Sequence, residues 1–158
     1  VVLVNDPAFA TQDDTLFTGN AMTYYGRWTY KYEEAARQGA KAVFIVHETA
    51  PAAYPWGVVE SSNTGTKYSL MDNNLNASEL PVMGWLTLDA TEQIFASAHL
   101  NYQQLKQQAL SEQFQAKALN LKATLVFKNE VSHAKSHYGV AKITGSESPA
   151  HRFVIRGH

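Results

Sequence analysis

Cysteine is absent from the 158 residues, which excludes a disulfide scaffold and every thiolate metal site and is compatible with any redox compartment. No apolar run approaches the ~18 residues of a membrane-spanning helix. Charge of one sign is also lacking: 13 Lys and Arg stand against 14 Asp and Glu, for a net charge of -1. Charged residues make up 17% of the chain, below the ~25% of an average soluble protein. There is no basic footprint for nucleic acid, so neither nucleic acid nor membrane is expected as a partner. Between Asn5 and Arg27 the only glycines are Gly19 and Gly26, too few for a loop whose backbone approaches a pyrophosphate. No Gly-x-Ser-x-Gly elbow occurs, and the nearest string, Thr144-Gly145-Ser146-Glu147-Ser148, reads as a turn. The chain opens on Val1-Val2-Leu3-Val4 with no Met, charged leader or cleavage site, and is read as a piece of a longer chain.

What is present suits an α/β domain. Apolar residues make up 45%, with 8 Tyr, 7 Phe and 3 Trp, enough for a substantial core. Residues 1–4 are a short apolar run stopped by Asn5-Asp6-Pro7, the signature of a buried strand. Residues 27–38 have helical period: Trp28, Tyr32, Ala35 and Ala36 share one face, Gly39 follows as a left-handed cap, and Glu33 and Arg37 are spaced for an i, i+4 pair. A β-rich run from Ala42 to His47 follows, so the opening spells strand, helix, strand, a crossover between parallel strands. Residues 50–78 carry loop chemistry, including Ser61-Ser62-Asn63-Thr64-Gly65 and Asp72-Asn73-Asn74-Leu75-Asn76. A third strand is predicted over 81–86, then a helix capped by Asp89, whose Asp89-Ala90-Thr91-Glu92 has capping-box spacing, and a Gln-rich helix capped by Asn101. Beyond residue 118 the pattern turns strand-rich, with strands predicted over 119–127, 138–144 and 153–155 as an antiparallel extension.

The candidate site residues lie at the strand ends and in the aromatic segments. His47 and Glu48 close the second strand at its carboxyl end, where open α/β sheets put ligands. A lone histidine there also fits a simple bond to a loop carbonyl. His133 and His137 have the i, i+4 spacing of a zinc helix, but Ala134 stands where that motif needs Glu, and strand spacing puts them too far apart for one metal. The string Tyr24-Tyr25-Gly26-Arg27-Trp28-Thr29-Tyr30-Lys31-Tyr32 is the densest aromatic feature. Core packing accounts for half of it, and Tyr25, Arg27 and Tyr30 fall off the core face, as a ridge for peptide contact. Tyr54, Trp56 and Tyr68 add aromatic contact area to the long loop.

Several strings together carry a resemblance: residues 1–7, Ala21-Met22-Thr23-Tyr24-Tyr25-Gly26-Arg27-Trp28, Glu34-Ala35-Ala36-Arg37-Gln38-Gly39-Ala40 and His47-Glu48-Thr49-Ala50-Pro51. They resemble the protease-associated domain inserted in bacterial family 28 zinc aminopeptidases, over about residues 1–116. The resemblance implies a noncatalytic module that acts as a lid or docking surface for peptide substrate, in a secreted or periplasmic hydrolase. Its partners would be that peptide and the peptidase domain of the same parent chain. Residues 117–158 are similar to the first strands of the zinc peptidase domain, through Ser136-His137-Tyr138-Gly139-Val140-Ala141 and Phe153-Val154-Ile155-Arg156-Gly157-His158. On that alignment His158 is the parent's first zinc ligand, unless it belongs to an appended tail, and Gly139 replaces the family's usual Asn. The remaining ligands and the general base are missing, so the fragment itself is expected to hold no cofactor and to be inert. A second reading from the residues alone is a self-contained α/β domain that binds a small molecule in the loops after strands one and two.

Overall fold

The computed structural model describes residues 1–6, 8–11, 22–71, 79–137, 139, 141 and 146. The chain divides into two compact units, Val1–Lys122 and Ala123–His158. The first is mixed α/β. In chain order it contains β1 (Val2–Leu3), α1 (Ala8–Thr11), a 3-10 turn (Tyr24–Gly26), α2 (Trp28–Arg37), β2 (Ala42–Val46), α3 (Thr49–Ala52), α4 (Trp56–Asn63), β3 (Val82–Leu86), α5 (Leu88–Ser97) and α6 (Tyr102–Gln108).

The strands form one parallel sheet in the order β1-β2-β3. The register pairs Val2 with Ile45 and Leu3 with Val46 on one side of β2, and Val43 with Met83, Ile45 with Trp85 and Val46 with Leu86 on the other. The β-branched run of β2 occupies the centre because it is apolar on both faces. Val43 and Ile45 point to one face and Val46 to the other, and all three are buried. Full burial of Ile45 and Val46 stabilises the sheet by about 1.5–3 kcal/mol each. Leu80 joins Val43 and Ile45 in the core, and Tyr32, Ala35 and Ala36 of α2 pack against it. The predicted strand, helix, strand opening is therefore present, with parallel pairing.

Helix α2 ends as its sequence dictates. Gly39 takes a left-handed φ of 75°, Gly39 N–H donates to the Ala36 carbonyl and Ala40 N–H to the Ala35 carbonyl, both at 2.9 Å, which satisfies the carbonyls of the last turn. Two details depart from expectation. Arg37 pairs with Glu34 at 2.7 Å and not with Glu33, because the Tyr24 hydroxyl donates to both oxygens of the Glu33 carboxylate at 2.9 and 2.8 Å. Trp28, assigned to the core face, is the first helical residue and is 49% exposed, with its ring meeting Tyr32 and Trp85.

Residues 50–78 are not one loop. Pro51 sits in the first turn of α3 and Pro55 is the N-cap of α4, positions where a missing N–H costs nothing. Proline therefore starts helices here, whereas in a sequence it reads as a breaker. Residues 72–76 lie outside the described residues. At α5 the cap is Thr87, whose Oγ1 accepts from Ala90 N–H at 3.2 Å, and Asp89 falls in the first turn; the helix starts directly off β3, so the cap lies two residues earlier than the capping-box spacing suggested. Asn101 caps α6 as expected, accepting from Gln104 N–H at 2.8 Å.

No strand forms over 119–127. Asn120 adopts a left-handed φ of 52°, which interrupts an extended run, and a strand needs a hydrogen-bonded neighbour that this segment lacks among the described residues. In the second unit Val126 and Val131 are 94% and 84% exposed. The strands expected at 138–144 and 153–155, apart from Gly139 and Ala141, and His158 lie outside the described residues.

Candidate functional site

Three chain segments leave the sheet at its carboxyl end, after β1, β2 and β3, and each carries a polar residue at the exit. Asn5 turns the chain after β1 with φ 67°, a left-handed conformation that asparagine tolerates better than most side chains. Its Nδ2 donates to the Pro51 carbonyl at 2.8 Å, and its own carbonyl accepts from Lys31 Nζ at 2.9 Å. One residue thus joins β1 to α3 and α2. Burial holds Lys31 below the ordinary lysine range, with Asp6 acting in the opposite direction.

His47, the first residue after β2, is 4% exposed. Its Nε2 lies 3.0 Å from the Tyr54 carbonyl, so Nε2 carries the proton and donates. Its backbone N–H donates to the Leu86 carbonyl at 2.9 Å, which ties the main chain at the end of β2 to β3. Aromatic rings enclose it, with Tyr54, Trp56 and Trp85 centroids at 5.5, 5.7 and 6.3 Å. Trp85 in turn meets Trp28 at 6.4 Å, and Trp28 meets Tyr32 at 5.9 Å. The His47 side chain is a keystone of an aromatic cluster that spans β2, β3, α2 and α4.

Glu48 is held from one face of α6. Tyr102 and Lys106 are four residues apart and project together; the Tyr102 hydroxyl donates to Glu48 Oε1 at 2.8 Å and Lys106 Nζ reaches Oε2 at 2.5 Å. The Tyr102 hydroxyl is raised above the ordinary tyrosine range by burial, reinforced by its bond to Glu48. Tyr102 also stacks edge-on to Phe95 at 5.3 Å, and Gln103 Nε2 donates to Glu92 at 2.8 Å, so α5, α6 and the end of β2 form one joint.

Above this joint lies an open groove of about 430 Å³, lined among others by His47, Glu48, Pro51, Trp56, Thr87 and Asp89. Asp89 is exposed, and the ion pairs among the described residues leave its carboxylate unmatched. Of the residues expected at the site, His47, Glu48 and Trp56 line this groove, and Tyr54 stacks behind His47. Tyr25 and Tyr30 belong to a separate surface cluster, and Arg27 is exposed. Tyr30 stacks against Tyr25 at 4.9 Å and Tyr24 at 5.4 Å, and the Arg37 guanidinium lies 5.4 Å above its ring. Tyr24 and Tyr25 are 52% and 65% exposed. Tyr68 is exposed and shares no ring contact with either cluster among the described residues. His133 and His137 are exposed, and no group of three or more His, Cys, Asp or Glu that could hold a metal occurs among the described residues.

Sequence reasoning missed Trp85, Asp89 as a groove residue, and the Tyr102 and Lys106 pair. The last had a legible signal, since Tyr-x-x-x-Lys on a helix puts a hydroxyl and an ammonium on one face. No protein-family model, curated protein or solved structure matches the chain.

Proposed function

We propose that the α/β unit is a noncatalytic docking domain of the protease-associated type, carried by a secreted or periplasmic zinc aminopeptidase, and that its groove receives peptide. One observation carries this reading: both ionisable groups at the end of β2 are committed to internal bonds, His47 to the Tyr54 carbonyl and Glu48 to Tyr102 and Lys106. What the groove offers is aromatic and apolar surface with a polar rim, the composition of a contact site. Its open form suits an extended chain better than a small molecule, which enclosed sites bury by ~70–90%. The zinc of such a parent finds no ligand set among the described residues, so no step of its chemistry is assigned to this chain.

The test is binding of an N-acetylated, uncharged decapeptide by fluorescence anisotropy. Trp56→Ala is expected to raise Kd by up to roughly tenfold, the equivalent of ~1.4 kcal/mol. An unchanged Kd, or zinc-dependent hydrolysis of an aminoacyl-anilide that copurifies with the chain, would refute the proposal.

A further inference from the structure

We infer that the groove at the carboxyl end of the sheet selects peptides with a basic side chain, arginine or lysine. This deepens the docking reading and rests on it. The charge balance of the groove decides the sign. It is lined by two carboxylates, Glu48 and Asp89, and by no lysine or arginine. Glu48 is neutralised by Lys106 at 2.5 Å and has its other oxygen filled by Tyr102. Asp89 is exposed and outside every ion pair among the described residues. Among the described residues the groove therefore presents one carboxylate, Asp89, that has no side-chain cation beside it and is held in the first turn of α5.

The apolar part of the lining decides the shape. Trp56 lines the same groove, beside Ala50 and Pro51. An indole attracts a cation through its quadrupole, and arginine also stacks on it as a plane. A long basic side chain lays its methylene stem along apolar surface while its charged head reaches a carboxylate. A peptide's terminal ammonium has no stem to cover Ala50 and Pro51, and an acidic side chain would meet the Asp89 charge without a partner. The lining thus fits a basic side chain at both ends.

The experiment uses the full chain and the probe N-acetyl-Ala-Ala-Arg-Ala-Ala-amide, with citrulline and glutamate analogues at the central position. Citrulline keeps the size and hydrogen-bonding plane of arginine without its charge. Wild type is expected to bind the arginine peptide about three- to fivefold tighter than the citrulline peptide, the effect of one exposed charge pair with a cation–aromatic contact. The preference should shrink in 0.5 M salt and vanish in Asp89→Asn. Amide and indole NMR shifts of Asp89 and Trp56 in the wild type, moving with the arginine probe, provide a readout that needs no variant. Equal affinity for all three peptides overturns basic selectivity, and a preference that survives in Asp89→Asn overturns its assignment to Asp89; either result leaves peptide docking in place. Failure of all three probes to bind overturns the docking reading as well.

Discussion

Replacing Glu48 by alanine tests whether this residue is the tie between the central strand and the last helix. Two bonds end on its carboxylate, from Tyr102 at 2.8 Å and Lys106 at 2.5 Å. Tyr102 is 5% exposed, so the loss of the carboxylate takes the acceptor from a buried hydroxyl. A hydrogen bond to a charged group contributes ~1.5–3 kcal/mol. The ion pair is intermediate in burial, with Lys106 and Glu48 side chains 24% and 14% exposed, which places it between the ~0–1 kcal/mol of a surface pair and the ~3–5 kcal/mol lost when a buried pair is broken. The expected cost of Glu48→Ala is therefore about 3–4 kcal/mol in urea unfolding. Glu48→Gln, which keeps an acceptor for Tyr102, should cost about half as much. A double-mutant cycle with Tyr102→Phe isolates the hydroxyl and should give a coupling of ~1.5 kcal/mol or more. A cost below ~1 kcal/mol with no coupling would mean that Glu48 faces solvent and is free to serve a ligand, and the reasoning that commits it to structure would fail.

Two further outcomes follow from packing and titration. At Gly26 a Cβ would stand 2.6 Å from Met22 Cγ and 3.0 Å from Asp6 Oδ2, the oxygen that accepts from Thr23 N–H and Thr23 Oγ1 at 3.0 Å each; Gly26→Ala should cost about 2–3 kcal/mol through disruption of those charge-assisted bonds, and a neutral result in urea unfolding would show that the turn yields freely. Burial pushes the Tyr32 hydroxyl up to about 12, and the Tyr102 hydroxyl is raised as well. Both folded values exceed the unfolded value of ~10, so their stabilisation is complete below that pH and is lost as pH rises through the folded values. The urea midpoint should fall steeply above pH ~10 in wild type and less in Tyr32→Phe, and an identical alkaline limb in both would contradict the assignment. Lys31, held low by burial, acts oppositely and only up to its unfolded value of ~10.4.

The local patterns decided the elements. The run Val43-Phe44-Ile45-Val46 could be only a buried strand, the apolar face of Tyr32, Ala35 and Ala36 only a helix against it, and Gly39 only its end. The position of His47 at a strand exit was equally legible, because chain order alone puts it there. Tertiary structure decided everything that depends on partners far apart in sequence. Glu48 and Lys106 are 58 residues apart, and no spacing rule reaches across that distance; only the packing of α6 against the end of β2 turned a candidate ligand group into a structural tie. The same holds for Trp28 and His47, which both meet Trp85 across the parallel sheet, and for Tyr24, which took Glu33 from Arg37. Residues 119–127 show the converse. Alternation marks them as able to form a strand, but a strand is a pairing between segments, and the described structure supplies them with no neighbour.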